Sequence, residues 1–516
     1  MAAAPLQPAP AVKLLDRLIG YVSPQRGLRR YFDRQRLERA YEAASPRDGW
    51  RPRRAGASPN ADHFADAHIL RGKARSLVQN VPYIAAGMEA LVSNIIGTGI
   101  MPRATGRDAD IINTLWAEWV KVCDADGRLD FYGLQAAAYR AMEQDGEVLI
   151  RLRPRFVTDG LPVPLQLQLL EIDWLDTSRY TSGQPADGQD STNQVINGIE
   201  YDMLGRVVAY WLWDQHPGDI TLRRGLRTAS KRVPAESIIH LYNPDRPGQG
   251  RGFSRLGPVI ARVRDLQLLE DAELARKNLE ARLSVLASGD VATMANPGAY
   301  GEAADPAAAK QTGDLGQLAS GGITQLPPGV NLTVVQPTAA PGHVDNVKHH
   351  LHIIATGMGV TYEMLTGDMT EVNFSSARVR LIEFRRRAEQ TQWLIVIPRG
   401  INPVWRAFVN AAQLAGKISR PDYKVEFATP KWDYVNPKDE VNSDLAAVSG
   451  GLTSISETIR RRGYDPQAVF AEIASDFETL KASGVLDILL LQKGRVAEAV
   501  PAPDDLPTAK PAKAGQ

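Results

Sequence analysis

Apolar side chains at Val344, Val347, Leu351, Ile354 and Met358 alternate 3-4-3-4, which predicts a helix with a continuous seam for packing on a second helix. Gly357 and Gly359 mark its end, because glycine tolerates the left-handed backbone that closes a helix. A polar loop over 366–374 follows. Ser375 or Ser376 then supplies an oxygen to cap an arginine-rich helix expected over 377–393. A partner for the seam lies upstream. Pro258 suits a first helical turn, and little interrupts the pattern from there to Ser288-Gly289. That predicts a helix of about 30 residues and about 45 Å, with Leu256, Val259, Val263 and Leu266 in its stripe and Leu279, Leu283 and Leu286 continuing it.

The N-terminal half mixes the two periods. Residues 65–96 read as helix broken at Asn80-Val81-Pro82, since proline disfavours helical geometry in the residue before it. Residues 108–123 place Ile112, Leu115, Trp116 and Trp119 on one helical face, and 134–145 form another helix that Gly146 turns into a strand at 148–152. Period-two alternation over 165–169, a hairpin around 203–206 and a strand at 238–242 follow. Residues 290–342 are Gly/Ala/Pro-rich with one β-like piece at 331–335. Residues 401–415 are helical again. Asn436-Pro437, Ser454-x-x-Glu457 and Asp465-Pro466 start three further helices that end before Gly484. The last residues, from Pro501, have the composition of a disordered tail.

A length of 516 residues allows two to four domains. The formal charge of +1 excludes a histone-like polycation. It permits, without indicating, a protein past which DNA slides, where strong phosphate binding would hinder movement. Residues 1–60 carry many arginines between Arg26 and Arg54, and two readings stay open: a solvated arm, or a basic segment touching DNA or a neighbouring subunit. The single Cys123 forbids an internal disulfide and any multi-cysteine zinc site, and reads as a buried structural thiol. The longest apolar runs, 394–397 and 488–491, fall far short of the roughly 20 residues that cross a bilayer. The first residues lack a charged start before an apolar core, so the expectation is a soluble chain made in the cytosol, with no signal peptide and no membrane.

Catalytic patterns fail one by one. No phosphate-cradling Gly-x-x-x-x-Gly-Lys-Ser/Thr run exists. Gly97-Thr98-Gly99 leads to Pro102 where a dinucleotide fingerprint needs its third glycine. Asp124-Ala125-Asp126-Gly127 places Arg128 and Leu129 where a calcium loop needs Asp or Asn and Gly. Gly252-Phe253-Ser254-Arg255-Leu256 lacks the second glycine of a nucleophile elbow. His349, His350 and His352 cluster, yet only His349 and His352 share a helix face, without a third ligand nearby, and the group reads as solvated or interfacial. The expectation is therefore no enzyme, no metal and no cofactor.

Several blocks resemble, in order, the portal proteins of lambda-family tailed phages. They are Ala74-Arg75-Ser76-Leu77-Val78-Gln79-Asn80-Val81-Pro82 with Asn94-Ile95-Ile96-Gly97-Thr98-Gly99-Ile100, then Asp145-Gly146-Glu147-Val148-Leu149. Val233-Pro234-Ala235, Ile239-His240-Leu241-Tyr242 and Arg246-Pro247-Gly248-Gln249-Gly250-Arg251-Gly252-Phe253-Ser254 form the most distinctive one. Gly357-Met358-Gly359 through Asp368, Asn373-Phe374-Ser375-Ser376-Ala377-Arg378, Val435-Asn436-Pro437-Lys438-Asp439-Glu440 and Gly451-Leu452-Thr453-Ser454 complete the set, over about 62–480. Phe374 stands where the family pattern leads one to expect tyrosine.

The resemblance implies an α+β portal-type fold with an α/β wing, a long-helix stem, a small α/β clip and a helical crown, assembling into a ring, usually of twelve subunits, at one capsid vertex. In that scheme residues 1–61 are a basic arm, 62–252 the wing, 253–288 a stem helix, 289–342 the clip and 343–365 the second stem helix. Residues 366–374 are the tunnel loop, 375–435 the tunnel helix and return to the wing, 436–484 the crown and 485–516 a tail. Implied partners are double-stranded DNA in the channel, the terminase large subunit, major capsid and scaffold proteins, and head-completion (adaptor) proteins. The implied place is the virion, after synthesis in the bacterial cytoplasm. The loop residues Thr366, Gly367, Asp368, Thr370, Glu371 and Asn373 would touch DNA without gripping it, because carboxylates repel phosphates. Ser375, Ser376, Arg378, Arg380, Arg385, Arg386 and Arg387 would lie beside the channel. Those arginines either steady the DNA backbone or pair with acidic residues of the adjacent subunit, the second reading being preferred. The competing readings are another ring-forming virion component such as an adaptor, against which length and the clip-like and crown-like segments weigh, and a metal-dependent nuclease, for which no clustered carboxylates appear.

Overall fold

The computed structural model describes residues 56–180, 193–219, 229–281, 285–288, 331–334, 342–370, 372–419, 423–430, 432, 437–464 and 466–485, together with Tyr21. The chain divides into two units, Met1–Asp62 and His63–Gln516. In the first, Ser58 caps the helix that begins at Pro59, its Oγ accepting from Ala61 N at 3.2 Å. Most of the basic arm and of the clip segment, Asn436, Asp465 and the tail beyond Val485 lie outside the described residues.

Helices α1 (Pro59–Asn80) and α2 (Pro82–Ile95) are separated by Val81 alone, which is extended as its position before proline requires. Strand β1 (Met101–Thr105) and α3 (Ala109–Trp119) lead through a tight turn to α4 (Phe131–Asp145). Asp130 caps α4 by accepting from Gly133 N, and Gly146 ends it with φ of 96°. Strands β2 (Glu147–Pro154), β3 (Leu165–Glu171) and β8 (Ile238–Tyr242) form an antiparallel sheet ordered β3-β2-β8, with Ile150 opposite both Leu169 and Ile239. A second antiparallel sheet runs β4 (Gln194–Ile196), β5 (Ile199–Tyr201), β6 (Val207–Leu212) and β7 (Lys231–Pro234). A core of Leu149, Leu170, Ile199, Tyr210, Leu212 and Ile238 joins the two sheets.

The helix expected over 253–288 is shorter. Helix α5 covers Ile260–Ala281, and Val285–Ser288 is instead strand β9, paired antiparallel with β10 (Asn331–Val334). A short apolar run suits either state, and the ladder that placed Leu286 opposite Thr333 decided it. The seam helix is α6 (His343–Met358) and packs on α5, with Leu351, Ile354 and Met358 buried and Val344 exposed. It stops at Gly359 (φ 78°), so the stem expected as one helix over 343–365 is two, the second being α7 (Tyr362–Thr366).

The helix after the loop is longer than its periodicity indicates. Helix α8 (Phe374–Thr391) runs through ten π-helical residues, Gln392–Ile401, into α9 (Asn402–Leu414) without interruption. The π segment contains Pro398, and its wider turns make room for a ring that clashes in an α-helix interior. Gln392 is fully buried there and donates to Ile95 O at 2.7 Å. Trp405 and Phe408 of α9 return to Trp116 of α3 with ring centroids 4.8 and 4.9 Å apart, and Trp119 donates to Leu165 O at 2.7 Å. Strand β11 (Lys424–Ala428) then pairs with β1, Met101 opposite Ala428. Helices α10 (Pro437–Ser449), α11 (Ile455–Arg461) and α12 (Pro466–Ala482) follow, with Ser454 Oγ accepting from Glu457 N at 3.0 Å. No helix of the described residues is long and apolar enough to cross a membrane.

Candidate functional site

The loop between α7 and α8 is built by its own side chains. Thr361 caps α7 by accepting from Met364 N at 3.2 Å, and Gly367, at φ 72°, closes it. Thr366 Oγ1 donates to Tyr362 O at 2.9 Å and accepts from Asp368 N at 3.1 Å. Asp368 Oδ1 accepts from Thr370 N and Thr370 Oγ1, at 3.0 and 2.7 Å, while its Oδ2 accepts from Tyr362 Oη at 3.2 Å. Hydrogen bonds from Thr370, opposed only weakly by desolvation, hold the Asp368 carboxyl below its ordinary range, so it stays anionic. Tyr362 stacks on His352 of α6 with ring centroids 4.2 Å apart, which ties the loop to the seam helix. The exposed Met369 is left at the tip. Asn373, rather than Ser375 or Ser376, caps α8, its Oδ1 accepting from Ser376 N at 2.8 Å. Asparagine is as good a cap as serine, and it comes first in the chain. Glu371 lies outside the described residues.

Most arginines of α8 find partners within the chain. Arg380 pairs with Glu363, Arg378 lies 3.9 Å from Glu440, and Arg387 lies 3.9 Å from Glu383. Arg385 sits over the Trp432 ring at 5.3 Å. Arg386 is exposed.

A second centre lies deeper, and periodicity gives no hint of it. Glu147, fully buried at the start of β2, receives Arg251 in a two-pronged grip, Nε to Oε2 and Nη2 to Oε1, both 2.6 Å. His240 Nε2 lies 3.0 Å from Oε2, His63 Nε2 3.3 Å from Oε1 and Arg71 Nη2 3.7 Å from Oε1. Burial would raise this carboxyl, but Arg251, His240 and His63 outweigh burial and hold it well below the carboxylate range. Burial dominates at His240 and lowers its pKa, so the imidazole is neutral. Donating through Nε2 leaves Nδ1 as acceptor for Tyr210 Oη, 3.5 Å away.

Two glycines let the start of β2, which carries Glu147, touch the loop that carries Arg251. A Cβ on Gly252 would sit 2.0 Å from Gly146 O, and one on Gly146 would sit 2.5 Å from Phe253 C. Gly252→Ala is expected to cost about 3 kcal/mol, the upper end for overpacking, read as a lower urea midpoint at unchanged slope. A cost under about 1 kcal/mol would show that the two backbones part easily. The same loop reaches the seam helix. Arg255 Nε donates to Met358 O at 3.2 Å, and its guanidinium fills the space beside Gly359, where a Cβ would meet Nη2 at 2.4 Å.

Other groups that could suggest chemistry have structural uses. Asp124, the first residue of the failed calcium pattern, spends both oxygens on the N–H groups of Asp126, Arg128 and Leu129. Glu171, Asp173 and His216 place ligand atoms within 4.8 Å of one another, but Arg75 Nη2 already lies 3.0 Å from Glu171 and 2.7 Å from Asp173. The guanidinium occupies the place a cation would take. Cys123 is buried, which pushes its thiol up to about 12.

A family model described as phage portal protein, lambda family, matches residues 45–392. The chain is 27% identical over 452 residues to a probable portal protein of Halomonas phage phiHAP-1, covering 83% of each. It is 22% identical over 492 residues to the portal protein of Escherichia phage N15, covering 85% of this chain and 88% of that one. Portal protein B of Escherichia phage lambda is 23% identical over 322 residues, 56% of this chain and 59% of that one. Among solved structures, a chain of the native gene transfer agent virion covers 79% of this chain at 14% identity with a TM-score of 0.42, that chain being covered to 99%. The matched span takes in the Glu147–Arg251 centre, the α5–α6 helix pair and the loop they support, and the chain belongs to the lambda family of phage portal proteins.

Proposed function

We propose that the chain forms the ring through which a phage genome enters and leaves the capsid, with the loop after α7 facing the DNA. The observation that carries this reading is the family match across 45–392, which spans the stem helices and that loop. In this assignment the two sheets and α1–α4 are the wing, α5 and α6 the stem, β9 and β10 the described part of the clip, and α10–α12 the crown. The pairing of β11 with β1 returns the chain to the wing after the tunnel helix. The clip would receive the terminase large subunit during packaging and adaptor proteins afterwards, while scaffold and capsid proteins would contact the wing. The ring would act as a conduit, with the motor elsewhere.

The loop suits that role. A carboxylate already satisfied by Thr370 and Tyr362 presents negative charge to a phosphate backbone without a free hydrogen-bonding edge, so DNA slides by. The test is the mass of the purified protein in solution, with negative-stain images of the same fraction. Ring-shaped particles of many copies with a central hole are expected. A compact dimer that cleaves DNA would overturn the reading.

A further inference from the structure

We propose that neighbouring copies join by laying the exposed face of α5 on one subunit against the exposed face of α8 on the next. The proposal rests on the ring reading above and names the surface that closes the ring. Both helices bury one face, α5 with Val263 and Leu266, α8 with Phe384 and Ala388. Their exposed faces are mostly polar, but large apolar side chains stand among the charges. On α8 and its π-helical continuation Val379 is 68% exposed, Ile382 41% and Trp393 49%; on α5 Leu268 is 51% exposed and Leu274 60%.

Single exposed apolar residues are ordinary, but all of these except Leu274 fall on heptad seams. Val379, Ile382, Arg386, Glu389 and Trp393 follow a 3-4-3-4 spacing, and so do Ala261, Arg264, Leu268, Asp271 and Ala275. Each seam carries one charge of each sign. Among the described residues none of Arg264, Asp271, Arg386 and Glu389 makes an ion pair, although most arginines of α8 do.

The charges choose both occupant and direction. Set antiparallel, Arg264 meets Glu389 and Asp271 meets Arg386 with the two pairs only about 6 Å out of common register, within an arginine's reach. Set parallel, the same pairs fall about 15 Å out of register and like charges face each other. The two seams are different surfaces of one chain, so their contact is head-to-tail, the type that closes rings. A second copy of this chain is therefore the occupant that both seams fit.

The test is charge reversal with restoration in the full chain: Asp271→Arg, Arg386→Glu, and both together. Sedimentation mass and negative-stain images report the ring, and circular dichroism confirms equal helix content. Each single reversal is expected to shift the mass from ring to monomer. The double variant restores the ring, because every interface regains an opposite pair. Rings of wild-type mass from both single variants would overturn this interface and leave the ring reading standing. So would failure of the double variant alongside the singles. A wild-type chain that stays monomeric would overturn both readings.

Discussion

Replacing Arg251 by methionine is expected to lower the folded chain's stability by about 3–5 kcal/mol, the cost of leaving a buried charge without its partner. Arg251 is the sole residue donating two hydrogen bonds to Glu147 among the described residues, and Glu147 has no exposed surface through which water can compensate. The midpoint of urea unfolding reads the effect. The reciprocal variant, Glu147→Leu with Arg251→Met, is expected to lose less than Arg251→Met alone, because no unpaired charge then remains in the interior. A loss below about 1 kcal/mol for the single change would mean that His63, His240 and Arg71 satisfy the carboxylate by themselves. The centre also sets the acid limb of the stability curve. Glu147 is held below its ordinary 4.5, so its contribution is present above that value and is lost as pH falls through the depressed folded pKa. His240 is held below 6.5, so its contribution is present above 6.5 and fades as pH falls towards its lower folded value, where the ring must charge beside Arg251. Stability should therefore begin to fall below about 6.5 and fall again in the carboxylate range, and His240→Gln should flatten the first step.

This centre shows where a linear reading stops. Helices and strands held by local periodicity were legible: the seam from Val347 to Met358, the alternation at 165–169, the break at Pro82 and the turn at Gly146 each follow from neighbours within a few residues. What stayed hidden depends on residues far apart. Arg251 and Glu147 are separated by 104 positions, and only the resemblance marked both of their blocks. A charged residue opening an apolar strand, with glycines before it and beside its partner, was the signal available. The β1–β11 ladder joins residues more than three hundred positions apart, and no pattern in Met101–Thr105 names Lys424–Ala428 as its mate. The end of α5 at Ala281 and the start of β9 were lost because Val285-Leu286-Ala287 fits a helix as well as a strand until the partner β10 is known. The loop was the reverse case. Its place was legible from Gly359 and Gly367, yet its internal bonds were not, since Asn373 and the serines compete for the same cap.

Exchanging residues 367–372 for a Gly/Ser linker of equal length is expected to leave ring mass unchanged while capsids lose most of their nuclease-protected DNA. Keeping Thr366 and Asn373 preserves both flanking helix ends, so the change reaches only the stretch proposed to meet DNA. Among the described residues little else leans on that stretch. Asp368, Thr370 and Tyr362 bond mainly to one another, and Met369 is exposed. Ring closure, in the interface proposed above, depends instead on α5 and α8. A flexible linker samples many positions, where the native loop is fixed by the Asp368–Tyr362 bond and the Tyr362–His352 stack. Such a linker cannot hold a fixed distance from a passing duplex or keep a carboxylate pointed at it. Asp368→Asn provides the finer probe. It keeps the size of the side chain but removes its charge, so DNA should pass more slowly while the loop keeps part of its bonding. The readouts are complementation of a portal-null phage and DNA content per capsid. Full genomes at wild-type yield from the linker variant would remove the loop from the conduit, and the Asp368 geometry would then be no more than a well-made turn between two helices.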